Sequence, residues 1–392
     1  MRLLRKAIFL AGMALLCGAM LGCDISAGTG SSARQPVSSL SISSDGRYVL
    51  SAHGDRSLVL WDIVAQTSRV ISNDANIYSA HFVKGRDLFL WQDLGRTVHL
   101  HETKGPERQR WKLPRDTYGH LISSDLKTYI YSDEGYGIYV RRSGQERVLK
   151  VPDPGTFRGL GKILNLALSP DERTLLSAGD CSPYFGTAES FRPEIQAARG
   201  YKGYECVVLW DLRTHKPIAK LPGNIAKTHA TFSPDGKYVV SGDENGRVYV
   251  WNAQEGQRLF DLASLWRGVL VDKSGGYGKY IWDKTGLIEQ PPDFEGDAAI
   301  VIKFIDRDNH YLRFTTYQHY AILYSIDSPL PLKYLDLGTK PFPATRDYSR
   351  NTAIDTAPAA GVLVTGQAAG PGINVYKYDK ATQTLKRIWV AR

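Results

Sequence analysis

Three stretches of the chain repeat one arrangement of turns and apolar strands: SSDGRYVLSAHGDRSLVLWD (43–62), SPDERTLLSAGD…YECVVLWD (169–211) and SPDGKYVVSGDENGRVYVWN (233–252). Each opens on a polar Ser/Pro/Asp turn and runs through an alternating strand that ends in Ser-Ala or Ser-Gly. A short polar link follows, and a second apolar strand closes on Trp-Asp or Trp-Asn. Period-2 alternation between Gly/Asp/Asn turns is the signal of a β-hairpin, and its recurrence is the signal of a repeat architecture. Ser51 and Trp61 lie ten residues apart, as do Ser241 and Trp251. Weaker copies fill the gaps. RTVHLHET (96–103) places His101 in the Trp slot and GIYVRRS (137–143) places Arg141 there, so the slots at 61, 101 and 141 are forty apart. Trp210 supplies a further slot, and Tyr324-Ser325-Ile326-Asp327 and Tyr376-Lys377-Tyr378-Asp379 supply two later candidates. The 75 residues from Trp251 to Ile326 have room for two short repeats, which implies a degenerate unit around 273–292 and a total of eight. The alternative is seven, with 268–292 as a long connection.

A four-stranded sheet with two apolar faces must stack on neighbours, and closing the stack into a circle covers both ends. Residues 38–392 are therefore expected to form one all-β domain, a single ring of four-stranded blades. The matched offsets of turn, Ser and Trp resemble WD40 repeats, which implies a WD40-like β-propeller. In that family a His, a Ser or Thr, a turn Asp and the strand Trp often form a hydrogen-bonded tetrad. Ser51, Asp55 and Trp61 match three of these roles. Trp210 marks a second blade, and Ser241 and Trp251 a third, with His229 upstream and Asn245 in the Asp place. These positions are structural and designate no binding site.

The N-terminus reads as an address. Arg2, Arg5 and Lys6 precede fourteen uncharged residues, Ala7 to Met20. That run suits a secretory signal and is shorter than the ~20 apolar residues of a spanning helix. Met20-Leu21-Gly22-Cys23 resembles the lipobox of bacterial lipoproteins, although Met20 departs from the usual Leu. The resemblance implies a signal peptide at 1–22, cleavage after Gly22 and acylation of Cys23, which would anchor the chain to a membrane through its lipid. Asp24 resembles an inner-membrane retention signal and leans the placement that way, with the outer membrane the alternative. Residues 23–37 then form the acylated cysteine and a small, polar, flexible tether. Loss of the signal lowers the net charge from +9 to +6. The remaining basic residues are scattered, so no nucleic-acid partner is expected.

One blade carries an insertion. Between Ser177 and Trp210 lie 32 residues, against nine in the other strong repeats. The added loop is framed by Cys181 and Cys206, the only thiols left once Cys17 departs with the signal and Cys23 is acylated. An oxidising periplasm and a hairpin neck favour a Cys181–Cys206 disulfide, contributing roughly 3–3.5 kcal/mol for a loop of about 25 residues. The loop holds Tyr184, Phe185, Phe191, Tyr201 and Tyr204 among Arg192, Arg199 and Lys202. Aromatics with arginine are the composition of interface hot spots, so these eight are the candidate partner-binding residues.

Catalytic motifs are absent or incomplete. There is no G-x-S-x-G and no HExxH, and Ser124 to Lys127 matches S-x-x-K without its companions. Gly161-Lys162 lacks the rest of a phosphate loop. Asp306, Asp308 and Asn309 lack the Gly and distant Glu of a calcium loop. His99 and His101 share one strand face, but His101 occupies the Trp slot and reads as a packing residue. No metal, no cofactor and no enzymatic activity are expected. The expected function is a lipid-anchored, periplasm-facing scaffold, monomeric alone, that binds an envelope or periplasmic protein. A small-ligand or glycan binder using the propeller channel is the alternative, and a propeller enzyme the third reading.

Overall fold

In the computed structural model of the chain, the described residues are 37–76, 80–115, 117–133, 137–149, 163–179, 206–224, 228–243, 248–261, 280–283, 286–289, 299–315, 320–328, 331–337, 353–366 and 372–391. They are all strand, turn and loop, and no helix among them is long and apolar enough to cross a membrane. Among them are seven four-stranded sheets, each an antiparallel meander of strands consecutive in sequence. Blades 1 to 7 span 37–72, 81–112, 117–149, 163–220, 228–261, 299–336 and 354–391.

The turns explain why the repeated sequence folds this way. In blade 1, Ser43 Oγ donates to Asp45 Oδ1 (2.6 Å) and accepts from the Tyr48 amide (2.8 Å). The same Ser/Asp pair recurs at Ser123/Asp125, Ser169/Asp171 and Ser233/Asp235. The residue after each Asp takes a positive φ: Gly46 at 74°, Leu126 at 64°, Glu172 at 57° and Gly236 at 75°. Glycine adopts that conformation without steric cost, and Glu172 turns it to use by accepting the Ser124 amide (2.9 Å) and thereby joining blades 3 and 4. The Asp or Asn after each slot tryptophan makes the outer turn. Asp62 Oδ1 accepts the amides of Val64 and Ala65, and Asn252 Oδ1 those of Gln254 and Glu255, all at about 3 Å, as side chains of this type do in Asx turns.

Seven hydrophobic clusters occupy the seven seams. The slot face of each blade looks at the blade before it: Trp210 packs with Ile130 and Ile138 of blade 3, and Trp251 with Leu176 and Leu209 of blade 4. The ring closes where Val49, Val59 and Trp61 of blade 1 meet Val364, Val375 and Trp389 of blade 7. Each terminal blade is built from its own four strands, so this closure is made by face packing and not by a shared sheet. Across the same seam the Ile42 amide donates to Asp355 Oδ2 (3.0 Å).

The preferred total of eight blades is corrected to the alternative, seven, among the described residues. The segment read as a degenerate blade contains a two-stranded hairpin, Tyr280–Asp283 and Gly286–Glu289. Val240, Val248 and Val250 of blade 5 pack directly on Ile302, Tyr311 and Tyr324 of blade 6. That contact leaves no seam for another sheet between them.

Candidate functional site

The Trp slots divide the blades into two kinds. In blades 1, 4 and 5 the indole N–H donates to the serine hydroxyl of the neighbouring strand: Trp61 to Ser51 (2.8 Å), Trp210 to Ser177 (2.9 Å) and Trp251 to Ser241 (3.0 Å). All three indoles are almost fully buried. The groups beyond the serines differ. Ser51 Oγ lies 2.7 Å from His53 Nε2, while Ser241 donates to Asn224 Oδ1 (2.8 Å). Asp55 organises its own turn through the Ser57 amide (3.0 Å) and hydroxyl (2.7 Å). His229, read from sequence as the upstream histidine of this relay, stands on the innermost strand of blade 5, and buried Asn224 takes the position beside Ser241. Asn245 lies outside the described residues. The Asn224 role has no sequence signal, because a loop asparagine resembles any other turn residue.

Blades 2 and 3 lose the indole. His101 fills the slot in blade 2, paired with Phe89 and stacked on its ring at 5.4 Å. Arg141 fills it in blade 3, opposite Tyr129. The seam between them opens into a groove of about 260 Å³, bordered by Leu100, Trp111, Tyr129 and Arg141. Small side chains or charged ones in place of a buried indole leave volume that the neighbouring blade does not fill.

The innermost strands form a second polar region. Ser41, His81, His120, Asn165, His229, Lys303 and Asp355 supply one polar side chain from each blade. Lys303 Nζ and Asp355 Oδ1 are 2.8 Å apart, and Ser41 Oγ and Asn165 Oδ1 each accept an amide from the next blade. The His81 and His120 rings meet edge to face at 5.5 Å, and His120 Nδ1 lies 2.7 Å from the Tyr129 hydroxyl. Desolvation pushes His229 down to about 4, assisted by the Lys303 charge. Desolvation likewise pushes His81 down to about 4, with Asp355 opposing and Lys303 assisting. Both rings are therefore neutral at pH 7, although each keeps part of its surface accessible.

At the neck of the insertion, blade 4 is undisturbed. Its second and third strands pair in register from Thr174↔Asp211 to Ser177↔Val208, and the Trp210–Ser177 bond closes the blade. Continuing that register sets Gly179 opposite Cys206, which is buried among Ala178, Val207 and Leu221. Cys181 and the eight candidate partner residues, Tyr184, Phe185, Phe191, Arg192, Arg199, Tyr201, Lys202 and Tyr204, lie outside the described residues, as does Cys23.

Comparison with known proteins agrees with this geometry. The family profile of the WD domain, G-beta repeat, matches residues 27–62 and 215–252. The chain is a β-propeller carrying WD40 repeats. The WD40 segments so matched contain the Trp61–Ser51 and Trp251–Ser241 pairs described above. The propeller is similar to a serine-threonine kinase receptor-associated protein of Gallus gallus, 21% identical over 258 residues that cover 59% of this chain and 70% of that one. It is also similar to a U3 small nucleolar RNA-associated protein 18 homolog of Arabidopsis thaliana, 25% identical over 186 residues, 44% of this chain and 33% of that one.

Proposed function

We propose that the protein is a non-catalytic protein-interaction scaffold, anchored by an acylated Cys23 and facing the bacterial periplasm, whose partner contact is made by the blade 4 insertion. The observation that carries this reading is the unbroken pairing of Ser177 with Val208 beneath 26 further residues, 180–205. The blade closes below the insertion, so the loop is free to vary in composition without disturbing the ring. Its aromatic and arginine content suits an interface anchor. A Cys181–Cys206 bridge at the neck would limit the loop's freedom before binding and so reduce the entropy lost on association. Burial of Cys206 beside the paired strands supports that bridge. The lipid would confine the ring to a surface and raise its effective concentration toward partners held in the same membrane. The partner is then an envelope or periplasmic protein, at the inner membrane on the reading of Asp24. That the chicken relative is named for association with a receptor agrees with a protein partner for this scaffold.

The test is an envelope pull-down comparing the intact chain with a variant whose residues 182–205 are replaced by a short Gly-Asn turn and whose Cys181 and Cys206 are serine. Loss of one partner with the melting temperature kept is expected. An unchanged set of partners would move the contact elsewhere on the ring.

The polar innermost strands favour a second reading, a small ligand or glycan bound in the channel. It requires a thermal shift with such a ligand that His229→Gln or Lys303→Gln abolishes.

A further inference from the structure

We propose that His99, His101 and Glu107 form a binding site for one divalent late-transition-metal ion, Zn²⁺ by preference, on the face of blade 2 that looks toward blade 1. His99 and His101 stand two apart on the strand Thr97–Glu102 and so share a face. A register shift between Leu100 and His101 sets Glu107, on the strand Glu107–Lys112, opposite His101. The result is that one ligand atom from each of the three lies within 4.8 Å of the others. His99 Nδ1 is 2.7 Å and His101 Nε2 3.6 Å from the same oxygen, Glu107 Oε2.

The second nitrogen of His99 points to the same conclusion. His99 Nε2 faces Asp93 Oδ2 at 3.3 Å, and Asp93 is itself held by the Thr97 amide at 2.7 Å. A protonated imidazole can donate to both carboxylates, whereas with a metal in place one nitrogen donates to a carboxylate and the other ligates the ion. Donation to Asp93 leaves the Nδ1 lone pair aimed at the Glu107 oxygen, and the lone pair of His101 faces the same atom when its N–H lies at Nδ1. One cation between them would satisfy all three. The carboxylate behind a ligating histidine is the usual arrangement that orients the ring toward a metal. Stacking of His99 on Trp91, at 4.1 Å between ring centres and 9° between planes, holds the ring in that orientation.

Two imidazoles and one carboxylate suit Zn²⁺ and its neighbours and not Ca²⁺ or Mg²⁺, which take oxygen ligands. Tetrahedral bonds of ~2.0–2.2 Å require small side-chain adjustments from the present spacing. Arg110 approaches the other Glu107 oxygen, Oε1, at 3.7 Å and is largely exposed, so it leaves Oε2 available. The His99, His101 and Glu107 side chains are 11%, 19% and 31% exposed, which gives an ion a path from solvent.

The test is calorimetric titration of the full chain, prepared without a histidine tag, with ZnCl₂, alongside the visible spectrum of the Co²⁺ form. One saturable Zn²⁺ per chain and a tetrahedral Co²⁺ spectrum are expected. Loss of a ligand in Glu107→Gln or His101→Gln should weaken binding more than ~100-fold, and Asp93→Asn by ~10–100-fold. His310→Ala, in the separate Asp306/Asp308/His310 group, should leave it unchanged. The metal-free melting temperature of Glu107→Gln shows whether the blade remains folded. Absence of saturable binding to the parent would overturn the proposal, as would folded Glu107→Gln and His101→Gln variants binding as tightly as the parent.

Discussion

Replacing His229 with Gln should flatten the acid limb of the stability curve. In the unfolded chain this ring titrates at its ordinary 6.5, whereas in the ring of blades desolvation and Lys303 push it down to about 4. Between those values the unfolded chain takes up a proton that the folded chain refuses, so stability falls as pH falls, and most of the loss has occurred by pH 4. The two values, 6.5 and about 4, make the loss due to this one ring about 2 kcal/mol at pH 5 and about 3 kcal/mol at pH 4. Glutamine has no proton to take up. Urea unfolding of both proteins at pH 7, 6, 5 and 4.5 reads the difference directly. Acidic groups such as Asp62 and Asp306, whose pKa values their hydrogen-bond partners lower against desolvation, contribute to the acid limb of both proteins and cancel. The variant should gain on the parent by about 2 kcal/mol between pH 7 and pH 5. A difference that stays constant over that range would refute a desolvated, neutral His229.

Other expectations concern the frame and the anchor. Trp210→Phe removes the donor to a fully buried Ser177 hydroxyl, and urea unfolding should show a loss of about 1–3 kcal/mol. Replacing residues 271–290 with a flexible linker should leave a single cooperative thermal transition, since blades 5 and 6 meet without the hairpin; loss of that transition would argue for an eighth structural unit there. Cys23→Ala should release the protein from membranes on fractionation, and retention would argue against acylation as the anchor. Non-reducing peptide mapping of periplasmic material should recover Cys181 linked to Cys206, and two alkylated free thiols would exclude the bridge.

The frame was legible where one local interaction suffices. A Ser and a Trp ten residues apart identify adjacent strands because the indole reaches the hydroxyl across one pair of strands, and the Ser/Asp and Asp/Asn turns need only five or so residues to close. What depends on contacts between blades was not legible. A hairpin at 280–289 has the alternation of a blade fragment, and only the packing of Val240 against Ile302 and Tyr324 excludes it from the ring. His229 reads in sequence as the partner of Ser241, and the path of the loop before blade 5 sets Asn224 there instead. Glu107 could not be associated with His101 from spacing, because an irregular register in the pairing of their two strands brings them together. The convergence of His81, His229, Lys303 and Asp355 likewise requires the ring to close.

The scaffold reading is tested most directly by photocrosslinking in intact envelopes. A photoreactive residue would be placed singly at positions 184, 191 and 201 of the insertion, and at Val64, an exposed residue on the outer turn of blade 1. One discrete protein adduct is expected from the insertion positions and none from Val64. Adducts from Val64 with none from any insertion position would contradict the scaffold reading.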